Sequence, residues 1–528
     1  MPPPYHSASA RSHPRDASWV IRTLAREKAH RPPRLRPARP HGNMEATPRT
    51  PPPPLATPPM SASRRDFVRQ IGLGLAASAA AAESLAAQAA ALPRGDSERL
   101  LVENPHHPVP APVGVDRLPL AWYQRQAQRL REQARARGID VLLLQSDVNL
   151  VYFTGCFRGS GERTTWALMP TRETDTVYWF SPAIDRDLIT SWWCTENDYY
   201  FCYPHAEGGF PNRGEVVKGA RVDLWAWVLG KLAAKGLGDA TIGLDRELTP
   251  SAQRTFDRVL PAAKAADVSD LCLRLQVIKT PEEIALTQRA YRYFDLVHCF
   301  ARDYLLEHGT RATDYQVGQA LSQYGINLMM RDVRRDGRPH SAVGMEVTGH
   351  YVRTGVATAY PHPNQFFHAP IRKGQPVYVN CDILLGGYGG EGYRNYILTP
   401  SNAAHDRMWQ VVADTVQMIV EETKPGAVCS DIAYKVHSYQ VQQGMQEYIY
   451  HRPGHGQGQN FVGHQPPFLA LGDHSVVEEG MTFSVEPGLY DEKNGIGINP
   501  SDRLVVLKDR AVLMSRIPFT KEWSYLDV

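Results

Sequence analysis

No two of the seven cysteines in this 528-residue chain lie close enough to form a CxxC pair: Cys156, Cys194, Cys202, Cys272, Cys299, Cys381 and Cys429 are scattered singly. That spacing argues against a thioredoxin-type redox site and the common zinc-finger patterns. A disulfide framework is not required either, because a chain of this length can bury a core in each of two or three domains. The odd count leaves at least one free thiol. Long apolar runs are also scarce. The best candidate, Ile71 to Ala82, falls short of the roughly 20 residues that cross a bilayer, so no stable membrane span is expected. Acids are thin only in Met1 to Arg65, where Arg and Pro crowd together, and the remainder of the chain is mildly acidic. The net charge of +3 is therefore a property of the leader and no argument for a nucleic-acid partner. With 43% hydrophobic and 21% charged residues, the rest has the balance of a globular enzyme.

Residues 1–62 carry no apolar period and read as a disordered leader, or as an over-long start with Met44 or Met60 as the true one. Residues 63–96 read as a signal peptide. Ser63-Arg64-Arg65-Asp66-Phe67 supplies a basic n-region, Ile71 to Ala82 a short apolar h-region, and Ala86 to Ala91 the small residues of a cleavage site. The paired arginines followed by Asp and Phe resemble the twin-arginine type. The expectation is an exported protein, periplasmic or secreted, whose mature chain begins near residues 90 to 97.

Residues 97–273 show an α/β pattern. Trp122 to Arg137 predicts an amphipathic helix, Val141 to Leu144 a buried strand, Asn149 to Gly155 a loop with a short strand, and Asp223 to Lys235 another helix. Strands alternating with helices predict a mostly parallel sheet. The boundary falls just before Thr280-Pro281-Glu282-Glu283. Thr280 is a good N-cap, Pro281 fits the first helical position, and Glu283 completes a capping box. Residues 274–528 then read as α+β, with helices over an antiparallel sheet. Their clearest hairpin runs from Pro376 to Leu385, turns at Gly386 to Gly390, and returns from Glu391 to Leu398.

The chemistry concentrates in this second half. Gly454-His455-Gly456-Gln457-Gly458 surrounds a histidine with residues that admit close approach. His464-Gln465-Pro466-Pro467 follows, then Gly480-Met481-Thr482-Phe483-Ser484-Val485-Glu486-Pro487-Gly488, where alternating apolar residues end on one carboxylate. A buried Glu needs a cation, a metal or hydrogen-bond donors, and His with Glu on neighbouring strands suits metal ligation or acid–base work.

In that order these motifs resemble the M24 peptidase family, which holds creatinase, aminopeptidase P and prolidase. The likeness extends from about Leu118 to Val505. It implies an α/β creatinase-like N-terminal domain and an α+β "pita-bread" catalytic domain, hydrolysis of a C–N bond in a Xaa-Pro peptide or other small substrate, and a homodimer. It also implies two divalent ions held by two Asp, one His and two Glu. Here the match is incomplete. Asn380 stands at the first Asp position and Ser501 at the last Glu position, while Glu391, His455 and Glu486 fill the others. Two negative charges are lost, too many for a tight two-ion site. Asp382, two residues from Asn380 on the same strand face, is the candidate replacement. Asp382, Glu391, His455 and Glu486 are thus the candidate ligands for one ion (Mn, Zn, Co or Fe). His362, His464 and Glu486 are the candidate catalytic residues. Arg394 is expected to pair with a carboxylate behind the site. A metal-free, creatinase-type amidinohydrolase and a non-catalytic peptide-binding protein are the alternatives, with Tyr393 and Pro500 standing where creatinase has substrate-binding Glu residues.

Overall fold

The computed structural model describes residues 96–103, 117–157, 163–205, 208–210, 223–332, 334–335, 338–339, 346–348, 352–363, 368–459 and 464–528. The leader and the signal segment up to residue 95 lie outside them. The N-terminal domain is built on one seven-stranded sheet of order β5-β4-β3-β2-β1-β6-β7. Its strands are β1 (Val141–Leu144), β2 (Trp166–Pro170), β3 (Tyr178–Pro182), β4 (Glu196–His205), β5 (Gly208–Phe210), β6 (Thr241–Leu244) and β7 (Lys264–Asp267). The sheet is mixed rather than mostly parallel. The pairs β1–β6, β6–β7 and β3–β4 are parallel, whereas β1–β2, β2–β3 and β4–β5 are antiparallel. A short link joins β2 to β3, whereas β1 reaches its antiparallel neighbour β2 through the helix Asp147–Thr154, and strand–helix alternation alone does not reveal which neighbours reverse.

Helices cover both faces. Leu224–Ala234 and Pro250–Val259 pack on one face through Val228, Leu229, Leu232 and Phe256. Leu120–Ala136 packs on the other through Trp122, Tyr123, Ala127 and Leu130. The segment read as loop and strand is instead a helix, Asp147–Thr154, closed by Gly155 in the left-handed conformation (φ 72°). Val151, Tyr152 and Phe153 have strand propensity, but every residue from Asn149 to Thr154 is buried, and tertiary burial overrides such preferences. A Cβ at Gly155 would lie 2.7 Å from the Tyr123 ring.

The junction forms as the sequence predicts. Thr280 Oγ1 accepts from the Glu283 amide and the Glu283 carboxylate accepts from the Thr280 amide, starting the 28-residue helix Pro281–His308. Trp122 Nε1 donates to Thr280 Oγ1 at 3.0 Å, and the long helix shares one apolar core with the N-terminal sheet and the C-terminal hairpin.

In the second half, two short strands, β8 (Arg334–Arg335) and β9 (Arg338–Pro339), pair with each other, and β10 (Glu346–Thr348) follows. The sheet behind the site has the order β11-β12-β15-β23, from β11 (Arg353–Thr354), β12 (Pro376–Asn380), β15 (Tyr393–Leu398) and β23 (Tyr525–Leu526). The tip of the hairpin, β13 (Asp382–Leu385) with β14 (Tyr388–Gly390), joins β10 in a second sheet. A third sheet has the order β17-β16-β18-β21-β22, from β16 (Gly454–Gln457), β17 (His464–Leu469), β18 (Thr482–Val485), β21 (Asp502–Val506) and β22 (Ala511–Leu513). The pair β19 (Leu489–Asp491) and β20 (Ile496–Ile498) completes the strands. Helices Ala403–Glu422 and Cys429–Gln442 contribute Val416, Ile419, Ile432 and Val436 to the core over the third sheet. A bridge between Tyr393 and Ser501 ties the first sheet to the third. Among the described residues no helix is long and apolar enough to cross a membrane.

Candidate active site

The site lies where the hairpin meets the third sheet. The hairpin changes sheets midway, yet its register does not slip. Asn380 lies opposite Tyr393 and Ile383 opposite Gly390, which puts Asp382 opposite Glu391. Facing residues of an antiparallel pair share a side, so Asn380, Asp382, Glu391 and Tyr393 belong to one face. Gly392 lets the strand cross: a Cβ there would sit 1.9 Å from the Phe294 ring.

His455 enters from β16. The glycine before it is a packing requirement, since a Cβ at Gly454 would lie 2.4 Å from the Ser484 carbonyl oxygen. The His455 ring is buried. Its Nδ1 is 2.9 Å from the Gly456 carbonyl oxygen, which can only accept, so Nδ1 carries the hydrogen. That leaves Nε2 to face the carboxylates, 3.1 Å from Glu391 Oε1 and 3.8 Å from Glu486 Oε1. His464, at the start of β17, places its Nε2 3.4 Å from the same Glu391 oxygen. The two imidazoles lie against each other with centroids 3.7 Å apart and planes tilted by 30°. His464 is half exposed, so it forms the mouth of the site and His455 the floor.

The carboxylates are held from behind. Tyr393 Oη donates to Glu391 Oε2. Ser484 Oγ and Ser501 Oγ, 2.9 Å apart, both donate to Glu486 Oε1 at 3.0 and 3.2 Å. Ser501 therefore does not merely vacate a ligand position; its hydroxyl orients the glutamate that remains. Arg394 pairs with Asp502 at 2.6 Å, both fully buried, as the sequence predicts.

Electrostatics follow from this packing. Burial works against a charge on His455, but hydrogen bonds to Glu391 and Glu486, with the charges of both, raise its pKa to about 10. Burial likewise opposes a charge on Glu391, yet the hydrogen bonds from His455 and His464 hold it well below the usual carboxylate range. Without a metal, a proton on His455 supplies the positive charge between two glutamates.

The fit to a metal can be read from the donors. Among the described residues, Glu391, His455 and His464 each offer an atom within 4.8 Å of the other two. Two imidazoles and one carboxylate are a donor set for one divalent ion. The hydrogen bond at His455 Nδ1 is the kind that fixes a ligating imidazole. Asn380 is neutral, and the Ser501 hydroxyl is engaged with Glu486. Of the expected ligands, Glu391 and His455 are in the converging set. Asp382 is buried opposite Glu391, and Glu486 lies beside His455; neither is in that set. His464, expected in a catalytic role, is in it. His362 is exposed near the end of the turn Gly355–Ala359 and is outside it. The lining of Tyr378, whose ring is 5.2 Å from that of Tyr393, was not singled out from the sequence. Its position two residues before Asn380 on the same strand is the signal that marks it.

Comparison with known proteins follows this geometry. Residues 126–278 match the Creatinase/Prolidase N-terminal domain and residues 285–508 match Metallopeptidase family M24. The chain is 25% identical over 383 residues to the Xaa-Pro dipeptidase of Lactobacillus helveticus, covering 72% of this chain and 94% of that one. Against a Bacillus subtilis relative, 26% identical over 218 residues, the match covers 40% of this chain and only 59% of that protein. Among solved structures, the dipeptidase PepE of Mycobacterium ulcerans superposes with a TM-score of 0.60 at 19% identity, covering 78% of this chain and 99% of that one.

Proposed function

Because the chain belongs to metallopeptidase family M24, we propose that it is an exported hydrolase of a C–N bond in short Xaa-Pro-type peptides, with a rebuilt one-ion site. Glu391, His455 and His464 would hold the ion (Mn, Zn, Co or Fe), with Asp382 and Glu486 as neighbouring oxygen donors. A bound divalent ion polarises a carbonyl and acidifies water. The chain's own residues do the rest. Glu486, oriented by Ser484 and Ser501, is placed to take the proton of an attacking water and return it to the leaving nitrogen. Tyr393, bonded to Glu391, keeps that carboxylate aimed at the two imidazoles. His362, singled out by its place in the sequence motifs, is a candidate for stabilising the tetrahedral species. Export as the folded chain, and assembly as a homodimer, belong to the same proposal.

The observation that carries it is the meeting of Glu391 with His455 and His464 within 4.8 Å. The test is elemental analysis of protein expressed without residues 1–96, with Xaa-Pro dipeptide turnover measured before and after chelation. About one equivalent of metal, lost together with activity, supports the proposal. Turnover that survives complete metal removal points to the creatinase-type reading, which the neutral Asn380 and the Ser501–Glu486 bond favour. Tight peptide binding without turnover points to a non-catalytic protein.

A further inference from the structure

We infer that Tyr291, on the 28-residue helix Pro281–His308, is the positioning residue for Glu391: its hydroxyl holds the root of that side chain so that the carboxylate meets His455 and His464. The inference rests on the proposed hydrolase reading, because it concerns how the same site is kept in shape.

The three converging residues are not held alike. His455 lies in β16, paired on both sides with β17 and β18, and His464 begins β17. Glu391 alone lies in no strand. The hairpin changes sheets at this point, so its ladder stops at the pair Ile383–Gly390 and resumes at the pair Asn380–Tyr393. Gly390 before it (φ 153°) and Gly392 after it give the backbone at Glu391 a wide conformational range. A ligand or catalytic group has to be kept within about 0.5 Å of its working place. Tyr393 bonds the tip of the Glu391 side chain, but one hydrogen bond at the tip leaves the backbone at its root free to shift.

The helix supplies what the ladder lacks. Tyr291 Oη donates to the Glu391 carbonyl oxygen at 3.2 Å. Tyr291 is 1% exposed, and burial pushes its pKa well up, so the hydroxyl stays a donor. Further along the helix, the Phe294 ring fills the space that a side chain at residue 392 would need. His298 Nε2 then lies 3.4 Å from the Gly392 carbonyl oxygen, which also accepts from the Cys381 amide at 2.9 Å. Toward the helix start, Tyr388 Oη donates to Glu283 Oε1 at 3.0 Å, and a Cβ at Gly389 would come within 3.1 Å of the Ala290 methyl. Glu283, Ala290, Tyr291, Phe294 and His298 recur at the spacing of one helical face. Residues 388–392 thus lie along a single stripe of this helix, and Tyr291 is the member that grips Glu391 itself. The same helix begins at the Thr280 cap to which Trp122 donates, so the domain junction and the backbone of Glu391 share one rigid element.

The experiment compares wild type with Tyr291→Phe, which removes the hydroxyl and keeps the ring, and with Tyr200→Phe as control. Tyr200 is equally buried, and its hydroxyl donates to the Thr164 carbonyl oxygen at 3.0 Å in the N-terminal domain. Zinc affinity is measured by competition with a chromophoric chelator, kcat and KM on Ala-Pro, and stability in urea. Tyr291→Phe should bind zinc about tenfold more weakly and lose kcat by a similar factor at saturating zinc, with KM little changed. Tyr200→Phe should match wild type in zinc affinity and kcat while losing comparable stability. Zinc affinity decides: a loss smaller than threefold in Tyr291→Phe overturns the inference, and so does an equal loss in Tyr200→Phe, which would make the effect one of general stability. If wild type holds no zinc, the one-ion reading falls, and crystal structures decide the positioning role. In wild type the Glu391 carboxylate lies 3.1 Å from His455 Nε2. Its displacement by more than about 0.5 Å in Tyr291→Phe upholds the role, and a carboxylate within that limit overturns it.

Discussion

Asp502→Asn should be among the most damaging isosteric changes in the chain. The Asp502 carboxylate is fully buried, 2.6 Å from Arg394 Nη2, and also accepts from the Ser515 hydroxyl. Arg394 donates in addition to Ser515 Oγ and to the carbonyl oxygens of Tyr393 and Ser501, each at 2.9 Å. It thereby pins β15 to β21 directly behind Glu391 and Glu486. Asp295 is a poor counter-charge at neutral pH in the native protein, where the nearby Asp502 charge adds to the effect of burial. Burial pushes its pKa up to about 8, despite the hydrogen bond from the Arg516 amide. Asparagine keeps the shape of Asp502 but strands the Arg394 charge in a dry interior. Breaking one side of such a pair costs about 3–5 kcal/mol, a large part of the roughly 5–15 kcal/mol that holds a domain together. With a urea slope of about 3 kcal/mol/M, the unfolding midpoint should drop by about 1 M or more. The double variant Arg394→Met/Asp502→Leu, which removes both charges, should recover most of that loss. A midpoint within about 0.3 M of wild type for Asp502→Asn, which at that slope is under 1 kcal/mol, would refute the argument. So would a double variant as unstable as the single one.

Three further outcomes are expected. Burial lowers the pKa of His405 to about 4, although Asp406 raises it. The unfolded chain therefore takes up a proton below pH 6.5 that the folded chain refuses, and stability should fall between pH 6.5 and 4 by up to about 3 kcal/mol. Urea melts across that range should show a slope that His405→Gln flattens. Alanine at His464 should weaken metal binding at least tenfold in a competition titration, because it removes one of the three converging donors; unchanged affinity would exclude it as a ligand. In cells, the mature chain should begin near residues 90–97 by N-terminal sequencing, and Arg64→Lys/Arg65→Lys should retain the unprocessed protein inside.

The sequence alone determined the elements whose signals are local. The capping box at Thr280, the helices read by apolar period, the two-part organisation and the Gly-His-Gly, His-Gln-Pro-Pro and Ser-Val-Glu segments depend on neighbours a few residues apart. The same spacing pointed to Asp382 as sharing a strand face with Asn380, and the unbroken hairpin register agrees. Tertiary structure decided what depends on residues far apart in the chain. Asn149 to Thr154 became a helix because it is buried on all sides, against its strand-like composition. The N-terminal sheet is mixed because strand direction is settled by which strands pack together. Glu391, His455 and His464 span more than seventy positions, and only the packing of the hairpin on the third sheet brings His464 beside Glu391 and engages Ser501 with Glu486.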